Sequence, residues 1–126
     1  MEHGPRVLIV DDHEQFRRAA AGVVATTDPS IVVDEADSGE EAVRLARSLL
    51  PDLVLMDVHL GGMSGVEATR LLMADRPGVA VVLLSSYEPS ELPEDLLDCG
   101  AFAYVHKADL HPAVIRRALD ASGPHR

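Results

Sequence analysis

The sequence predicts an α/β fold in which five parallel strands alternate with five helices, a (βα)5 doubly wound sheet with helices on both faces. Short apolar, β-branched runs alternate along the chain with segments of helical period. Such alternation favours a parallel sheet covered on both sides. No linker, repeat or low-complexity tract interrupts it, so we expect one domain over residues 1–121 and a polar tail, or the start of a linker, at 122–126.

The strands are predicted from apolar runs bounded by polar or turn-forming residues. In chain order they are Val7–Val10, Ile31–Ala36, Leu53–Met56, Val79–Leu84 and Phe102–Val105. The first, third and fourth runs carry no polar side chain. We therefore expect these three strands to lie in the interior of the sheet, where both faces are covered.

The first three helices are predicted from apolar periodicity and capping residues. Two sets of residues each share one face of a 3.6-residue period and predict the first two helices: Phe16, Ala20, Val23 and Val24, then Ala42, Leu45, Ala46 and Leu49. Serine followed three residues later by glutamate is a capping box. This spacing predicts that Ser38 caps the second helix and Ser64 the third.

The last two helices are both predicted from segments that contain proline. Pro89 and Pro93 delay or distort the fourth, which leaves Glu94–Cys99 before Gly100 ends it. The fifth is expected to begin at Asp109, with a proline tolerated in its first turn. Its inward-facing residues are predicted to be Leu110, Val114 and Ala118.

Composition and charge exclude several classes of function. The 126 residues include 21 acidic and 11 basic side chains, for a formal net charge of −10. A protein that neutralises DNA phosphates needs a basic face, so no direct nucleic-acid binding is expected. The longest apolar run, 79–84, is too short to cross a membrane, and the N-terminus lacks a signal-peptide pattern. The single cysteine, Cys99, fits a reducing compartment, and we expect a cytoplasmic domain in which it is buried.

Polar side chains follow four of the predicted strands. Asp11 and Asp12 follow the first strand, Asp57 the third, Ser85 the fourth and Lys107 the fifth. In an open α/β sheet, ligands bind outside the carboxyl ends of the strands. If the strand order is 2-1-3-4-5, the three carboxylates converge and need a cation, and a site with oxygen ligands alone favours Mg²⁺.

The chain resembles a known family in four segments, which occur in the order VLIVDDH, LVLMDVHLGGMSGVEA, VVLLSSY and GAFAYVHKAD. Together they resemble the receiver domain of two-component response regulators over residues 5–121. The segment DDHEQFRRAA also resembles the NarL/LuxR-type subfamily, whose members usually carry a C-terminal helix-turn-helix. The resemblance implies a flavodoxin-like receiver fold with strand order 2-1-3-4-5.

The resemblance also implies roles for the residues at the strand ends. Asp57 matches the phosphoacceptor, which a sensor histidine kinase phosphorylates. Asp12, Asp57 and the backbone carbonyl of His59 would bind Mg²⁺, with Asp11 acting through water. Lys107 would pair with a phosphoryl oxygen. Such a domain is a switch, and its only catalysis would be its own phosphorylation and dephosphorylation.

The signalling residues follow from the same resemblance. Ser85 holds the position of the switch hydroxyl, and Tyr104 that of the aromatic residue that turns inward after the hydroxyl moves. The surface formed by the fourth helix, fifth strand and fifth helix would be the homodimer or partner face. A C-terminal DNA-binding domain outside this chain would then regulate transcription.

Three residues differ from the family pattern. Gly61 stands where proline is usual, Ser64 replaces an aspartate, and Ala108 replaces the proline that usually follows the lysine. The last change puts the usual cis peptide in doubt. The six histidines show no ligand spacing, so His13 is expected to begin the first helix and His106 to point outward from the fifth strand.

Two other functions remain open from the sequence. One is a receiver-like interaction module that does not use phosphate, which the glycine at position 61 and the unusual fourth helix allow. The other is an enzyme on the same fold, such as a phosphatase or a nucleotide-binding enzyme. The first β–α turn reads DDHEQ and contains no glycine-rich phosphate loop, which argues against the enzyme.

Overall fold

Five strands form one parallel sheet in the computed structural model, which describes residues 4–92 and 96–122. The strands are β1 (Arg6–Val10), β2 (Val32–Ala36), β3 (Leu53–Asp57), β4 (Ala80–Ser85) and β5 (Ala103–His106). Their order, β2-β1-β3-β4-β5, confirms the predicted topology. Each predicted strand is present, with both of its ends within one residue of the prediction.

The prediction of interior and edge strands is also confirmed. Every residue of β3 and β4 is buried, as are four of the five residues of β1. The edge strands β2 and β5 are mostly half-buried. Because β1 and β3 are neighbours, the residues that follow these two strands emerge side by side at one edge of the sheet.

Four α-helices cover the sheet in the described residues: α1 (Glu14–Thr27), α2 (Gly39–Leu49), α3 (Gly65–Asp75) and α4 (Pro112–Ala121). The side chains of Ser38 and Ser64 each accept a hydrogen bond of 3.1 Å from the backbone N–H three residues ahead, which confirms both predicted caps. In this part of the chain no helix has the length and apolar character that crossing a bilayer requires.

Alternating strand residues divide the core into two layers. Val7 and Ile9 pack with α1 and α4 on one face, and Leu8 and Val10 pack with α2 and α3 on the other. This division follows from the two-residue period of a strand. The predicted apolar faces of the first two helices turn inward as expected, with their alanines at 20, 42 and 46 buried.

The prediction of a fourth helix over Glu94–Cys99 is wrong where it can be compared with the structure. The chain forms 3₁₀ turns at Pro89–Glu91 and Leu96–Cys99, and residues 93–95 lie outside the described part. Prolines at 89 and 93 remove two backbone donors that a longer helix would use. Gly100, with φ +100°, ends the second turn, and Cys99 is buried as predicted.

The last helix begins three residues later than predicted. Lys107–Asp109 forms a separate 3₁₀ turn, and α4 starts at Pro112 with His111 as its cap. The His111 backbone is extended because the residue before a proline disfavours helical geometry. The predicted inward residues do pack inward: Val114 and Ala118 are buried and Leu110 lies against the same core. Of the predicted tail, residues 123–126 lie outside the described part.

Gly65, at the start of α3, provides a test of how tightly α3 packs on the end of β3. A Cβ at this position would overlap the backbone carbonyl of Asp57, whereas a Cβ at Gly22 in α1 would meet no atom within 4 Å. We expect Gly65→Ala to lower the free energy of unfolding by about 1–3 kcal/mol. The matched control Gly22→Ala should raise it by about 0.5–1 kcal/mol. Urea denaturation followed by circular dichroism measures both, and equal effects would contradict the packing described.

Candidate functional site

The carboxyl ends of β1, β3 and β4 and the turn after β5 meet at one edge of the sheet. They place there the residues that the sequence singled out: Asp11 and Asp12, Asp57, Ser85, and Lys107. Asp11, Asp57 and Ser85 are buried, although they are polar. Buried polar groups are costly without partners, so the partners of these three side chains define the site.

Lys107 bridges the two buried carboxylates. Its Nζ lies 2.6 Å from Asp11 Oδ2 and 3.5 Å from Asp57 Oδ2, and its own side chain is 15% exposed. The same ammonium group lies 4.6 Å from the centre of the Phe16 ring on α1, a cation–π contact. One positive charge is thus shared by two buried carboxylates, and the exposed Asp12 is a third carboxylate in the same cluster.

The surroundings of Asp57 raise the pKa of its carboxyl group. Burial is the main cause that raises the pKa of Asp57 above its usual value of 3.8, and the neighbouring charge of Asp11 acts in the same direction. The backbone N–H of His59, 3.1 Å from Asp57 Oδ1, and the Lys107 ammonium lower this pKa without reversing the shift. Lys107 therefore only partly offsets the cost of burying this carboxylate.

Asp11 is fixed by its backbone and by one of its carboxylate oxygens. Its Oδ1 accepts a 2.8 Å hydrogen bond from the His13 N–H, and its carbonyl accepts one of 2.7 Å from Arg17. Its Oδ2 forms an ion pair with the Lys107 Nζ at 2.6 Å and accepts no hydrogen bond from the described residues. This buried oxygen has spare capacity for a positive ligand.

The donor set fits a divalent cation. One carboxylate oxygen each of Asp11, Asp12 and Asp57 and a ring nitrogen of His13 all lie within 4.8 Å of one another. Three carboxylates around one ammonium leave an excess of negative charge, and hard oxygen ligands are those that Mg²⁺ prefers. The Asp11 Oδ2, which accepts no hydrogen bond from the described residues, and this excess charge both indicate that the residues suit the magnesium site predicted from the sequence.

The backbone of Tyr87 links the hydroxyl groups of Ser85 and Tyr104. The N–H of Tyr87 donates to Ser85 Oγ at 2.9 Å, and the Tyr104 hydroxyl donates to the Tyr87 carbonyl at 2.5 Å. The Tyr87 ring is half exposed and lies against the His59 ring, with centroids 4.4 Å apart. A displacement of the Tyr87 backbone would therefore disturb Ser85 and Tyr104 together.

His106 joins the loop after β4 to the turn that carries Lys107. Its Nδ1 accepts a 3.0 Å hydrogen bond from the Ala108 N–H, and its Nε2 lies 3.0 Å from the Ser86 carbonyl. A neutral ring protonated at Nε2 satisfies both contacts. The Lys107–Ala108 peptide in this turn is trans, since the described residues contain no cis peptide bond.

The structure brings together most but not all of the predicted site residues. Asp11, Asp12, Asp57 and Lys107 form one cluster, and His59 reaches it through its N–H. Ser85 Oγ accepts its described hydrogen bond from the Tyr87 N–H, and the Tyr104 hydroxyl donates to the Tyr87 carbonyl. Neither of these two contacts reaches the carboxylates.

Sequence reasoning missed three participants in the site. His13 was expected to begin the first helix as a solvated residue, but it precedes α1 as its N-cap residue and its ring contacts two carboxylates. Phe16 was assigned only to the apolar face of a helix, and His106 only to an outward strand position. Their partners, Lys107 and the Ser86 carbonyl, are far away in sequence, and only the adjacency of His13 to two aspartates could have given a signal.

The chain matches the response regulator receiver domain over residues 7–120. Response regulator GacA of Pseudomonas viridiflava is 45% identical over 102 residues, which cover 81% of this chain and 48% of GacA. The chain therefore spans about half the length of this relative. The family match and the relative both agree with the resemblance seen in the four sequence segments.

Solved structures give the same result. A two-component response regulator of the LuxR family from Aurantimonas sp. SI85-9A1 has a TM-score of 0.79 at 31% identity, over 93% of this chain and 83% of that one. The receiver domain of the histidine kinase CKI1 from Arabidopsis thaliana, complexed with Mg²⁺ and BeF₃⁻, has a TM-score of 0.77 at 27% identity, over 94% and 91%. The fold, the family match and these similarities agree, and the chain belongs to the receiver-domain family of two-component response regulators, among relatives of the NarL/LuxR type.

Proposed function

We propose that Asp57 accepts a phosphoryl group and that this modification operates the domain as a two-component switch. The observation that supports the proposal is the placement of a buried carboxylate between a cation-binding set of oxygens and the only lysine of the chain. A carboxylate oxygen of Asp57 forms a bond to phosphorus while the bond from phosphorus to the donor breaks, and the donor leaves with the electron pair. The product is an aspartyl phosphate.

The residues around Asp57 would stabilise the negative charge of the phosphoryl group during its transfer. Asp12 and Asp57, the His59 carbonyl and Asp11 through water would hold Mg²⁺, which offsets charge on the transferring phosphoryl group when it is bound. Lys107 forms ion pairs with the two buried carboxylates, and its ammonium group would move from them to a phosphoryl oxygen. The donor is a phosphohistidine of a sensor histidine kinase or a small acyl phosphate.

Ser85 and Tyr104 would carry the signal away from the site. A phosphoryl oxygen on Asp57 would attract the Ser85 hydroxyl, whose oxygen now accepts from the Tyr87 N–H. The Tyr87 carbonyl accepts a hydrogen bond from the Tyr104 hydroxyl, so a shift of the Tyr87 backbone would release Tyr104 to turn inward. One modification is thereby converted into a change of the surface between β5 and α4.

We place the output of the full protein in transcription. The match to response regulator GacA covers 48% of GacA, and this chain, with a net charge of −10, carries no excess of positive charge for DNA phosphates. Phosphorylation at Asp57 would let one copy of the domain pair with a second copy through the surface formed by β5, α4 and the turns that follow β4. A DNA-binding domain joined to this one would then act as a homodimer. We expect this to occur in the cytoplasm.

Intact-mass spectrometry tests the phosphoryl transfer. After incubation with acetyl phosphate and Mg²⁺, we expect one phosphoryl adduct, because only Asp57 of the two buried carboxylates is proposed as the acceptor. The adduct should be absent from Asp57→Asn and from wild type treated with a metal chelator. Asp98→Asn, which removes an exposed carboxylate outside the site, is the matched control and should retain the adduct.

An adduct that persists in Asp57→Asn would contradict the assignment of the acceptor. Absence of any adduct with acetyl phosphate and also with a phosphohistidine donor would favour the interaction module that does not use phosphate.

The cost of burying Asp57 predicts a dependence of stability on pH. Because burial raises the pKa of Asp57, its ionised form destabilises the native state, and this penalty grows as the pH rises from below the usual value of 3.8 through the raised pKa. Asp57→Asn should therefore have a higher free energy of unfolding than wild type at pH 7, and the difference should disappear under acid conditions.

Thermal unfolding with and without Mg²⁺ checks the same prediction. Mg²⁺ should raise the midpoint of wild type by mass action and that of Asp57→Asn much less. Equal midpoints of the two proteins at pH 7 would show that the buried charge of Asp57 does not destabilise the native state. Equal responses to Mg²⁺ would show that Asp57 is not a metal ligand.

A further inference from the structure

The imidazole of His13 lies against the carboxylates of the proposed cation site. Its Nδ1 is 2.9 Å from Asp12 Oδ1 and 3.1 Å from Asp11 Oδ1. The side chain is 73% exposed, so burial does not force it into this position. The ring instead turns a nitrogen toward the place where the carboxylate oxygens converge.

Two of the three carboxylates already lie close to the ligand spacing of one metal ion from His13. Ligands of a tetrahedral ion at about 2.1 Å are about 3.4 Å apart, and the His13 Nδ1 lies 2.9 Å from Asp12 Oδ1 and 3.1 Å from Asp11 Oδ1. With Asp57 included, one donor atom from each of the four residues lies within 4.8 Å of the others. The contraction of up to about 1.4 Å that brings Asp57 into the same shell can come from Asp12 and His13, which are exposed, while Asp11 and Asp57 are buried.

A nitrogen donor changes which ions the site prefers. Mg²⁺ is held by oxygen ligands and keeps several of its waters, whereas imidazole nitrogen and carboxylate oxygen together suit Zn²⁺. We propose that His13 is an additional metal ligand, which lets this site bind Zn²⁺ through one nitrogen and the aspartate carboxylates. The inference rests on the cation site of the proposed function and goes beyond it in naming the ligand and the ion.

Calorimetric titration of Mg²⁺ and Zn²⁺ into protein without a polyhistidine tag tests this role. His13→Asn should fold, because asparagine is a favoured N-cap residue and the backbone N–H that Asp11 accepts from is kept. We expect this variant to bind Zn²⁺ at least about tenfold more weakly, since even residues that only support a ligand contribute that much. Its Kd for Mg²⁺ should be that of wild type.

His111→Asn is the matched control, because His111 caps α4 through its Nδ1 and an asparagine keeps this cap. It should bind both ions as wild type does. Nitrogen-15 spectra of the histidine rings give a second readout: the His13 Nδ1 resonance should shift on addition of Zn²⁺ and stay in place with Mg²⁺.

Unchanged Zn²⁺ affinity in His13→Asn would overturn the inference, as would an equal loss of Mg²⁺ and Zn²⁺ affinity, which would mean that His13 only positions the carboxylates. Both results leave the proposed function intact, since Mg²⁺ binding by wild type and its loss in Asp12→Asn report on that separately. If wild type binds neither ion, the proposed cation site and this inference both fail.

Discussion

Two buried carboxylates, those of Asp11 and Asp57, share the single ammonium group of Lys107. This arrangement is the constraint on which the rest of the site depends, because one positive charge does not satisfy two desolvated negative ones. The consequences are visible in the raised pKa of Asp57 and in the Asp11 oxygen that accepts no hydrogen bond. In the function that we propose, a divalent cation would relieve both, and a phosphoryl group would then give Lys107 a new partner.

The apolar strands impose this arrangement on the polar residues. β1 and β3 are neighbours whose side chains fill two core layers, so neither strand can shift without exposing apolar surface. Their carboxyl ends are therefore fixed next to each other, together with the aspartates that follow. Burial of the apolar core thus supplies the free energy that keeps the repelling carboxylates close together. In the proposed function, this closeness is what lets them bind a cation.

A few hydrogen bonds connect the loops around the site in the described residues. The Tyr87 backbone contacts both the Ser85 hydroxyl and the Tyr104 hydroxyl. The His106 ring ties the loop after β4 to the turn of Lys107. Such a sparse network, on edge strand β5 and two short turns, costs little to rearrange, and this makes it suitable as the part of the fold that responds to a change at Asp57.

The sequence was sufficient to predict the sheet, because alternation of apolar runs and helical periods is a local signal that packing reinforces. It also located the carboxylates and Lys107, since residues that follow parallel strands meet at one edge. It misplaced the start of α4, where the backbone preference of the residue before Pro112 won over periodicity. It missed the contacts of Phe16 and His106, which join segments far apart in sequence and depend on side-chain direction.

An amide NMR titration with beryllofluoride, which mimics a phosphoryl group on a carboxylate, tests the proposed switch directly. We expect shifts at Ser85, Tyr87, Tyr104 and Lys107 only when Mg²⁺ and beryllofluoride are both present, and none in Asp57→Asn. A spectrum with both additions that matches the spectrum with Mg²⁺ alone would contradict the central claim that a group bound to Asp57 moves this network.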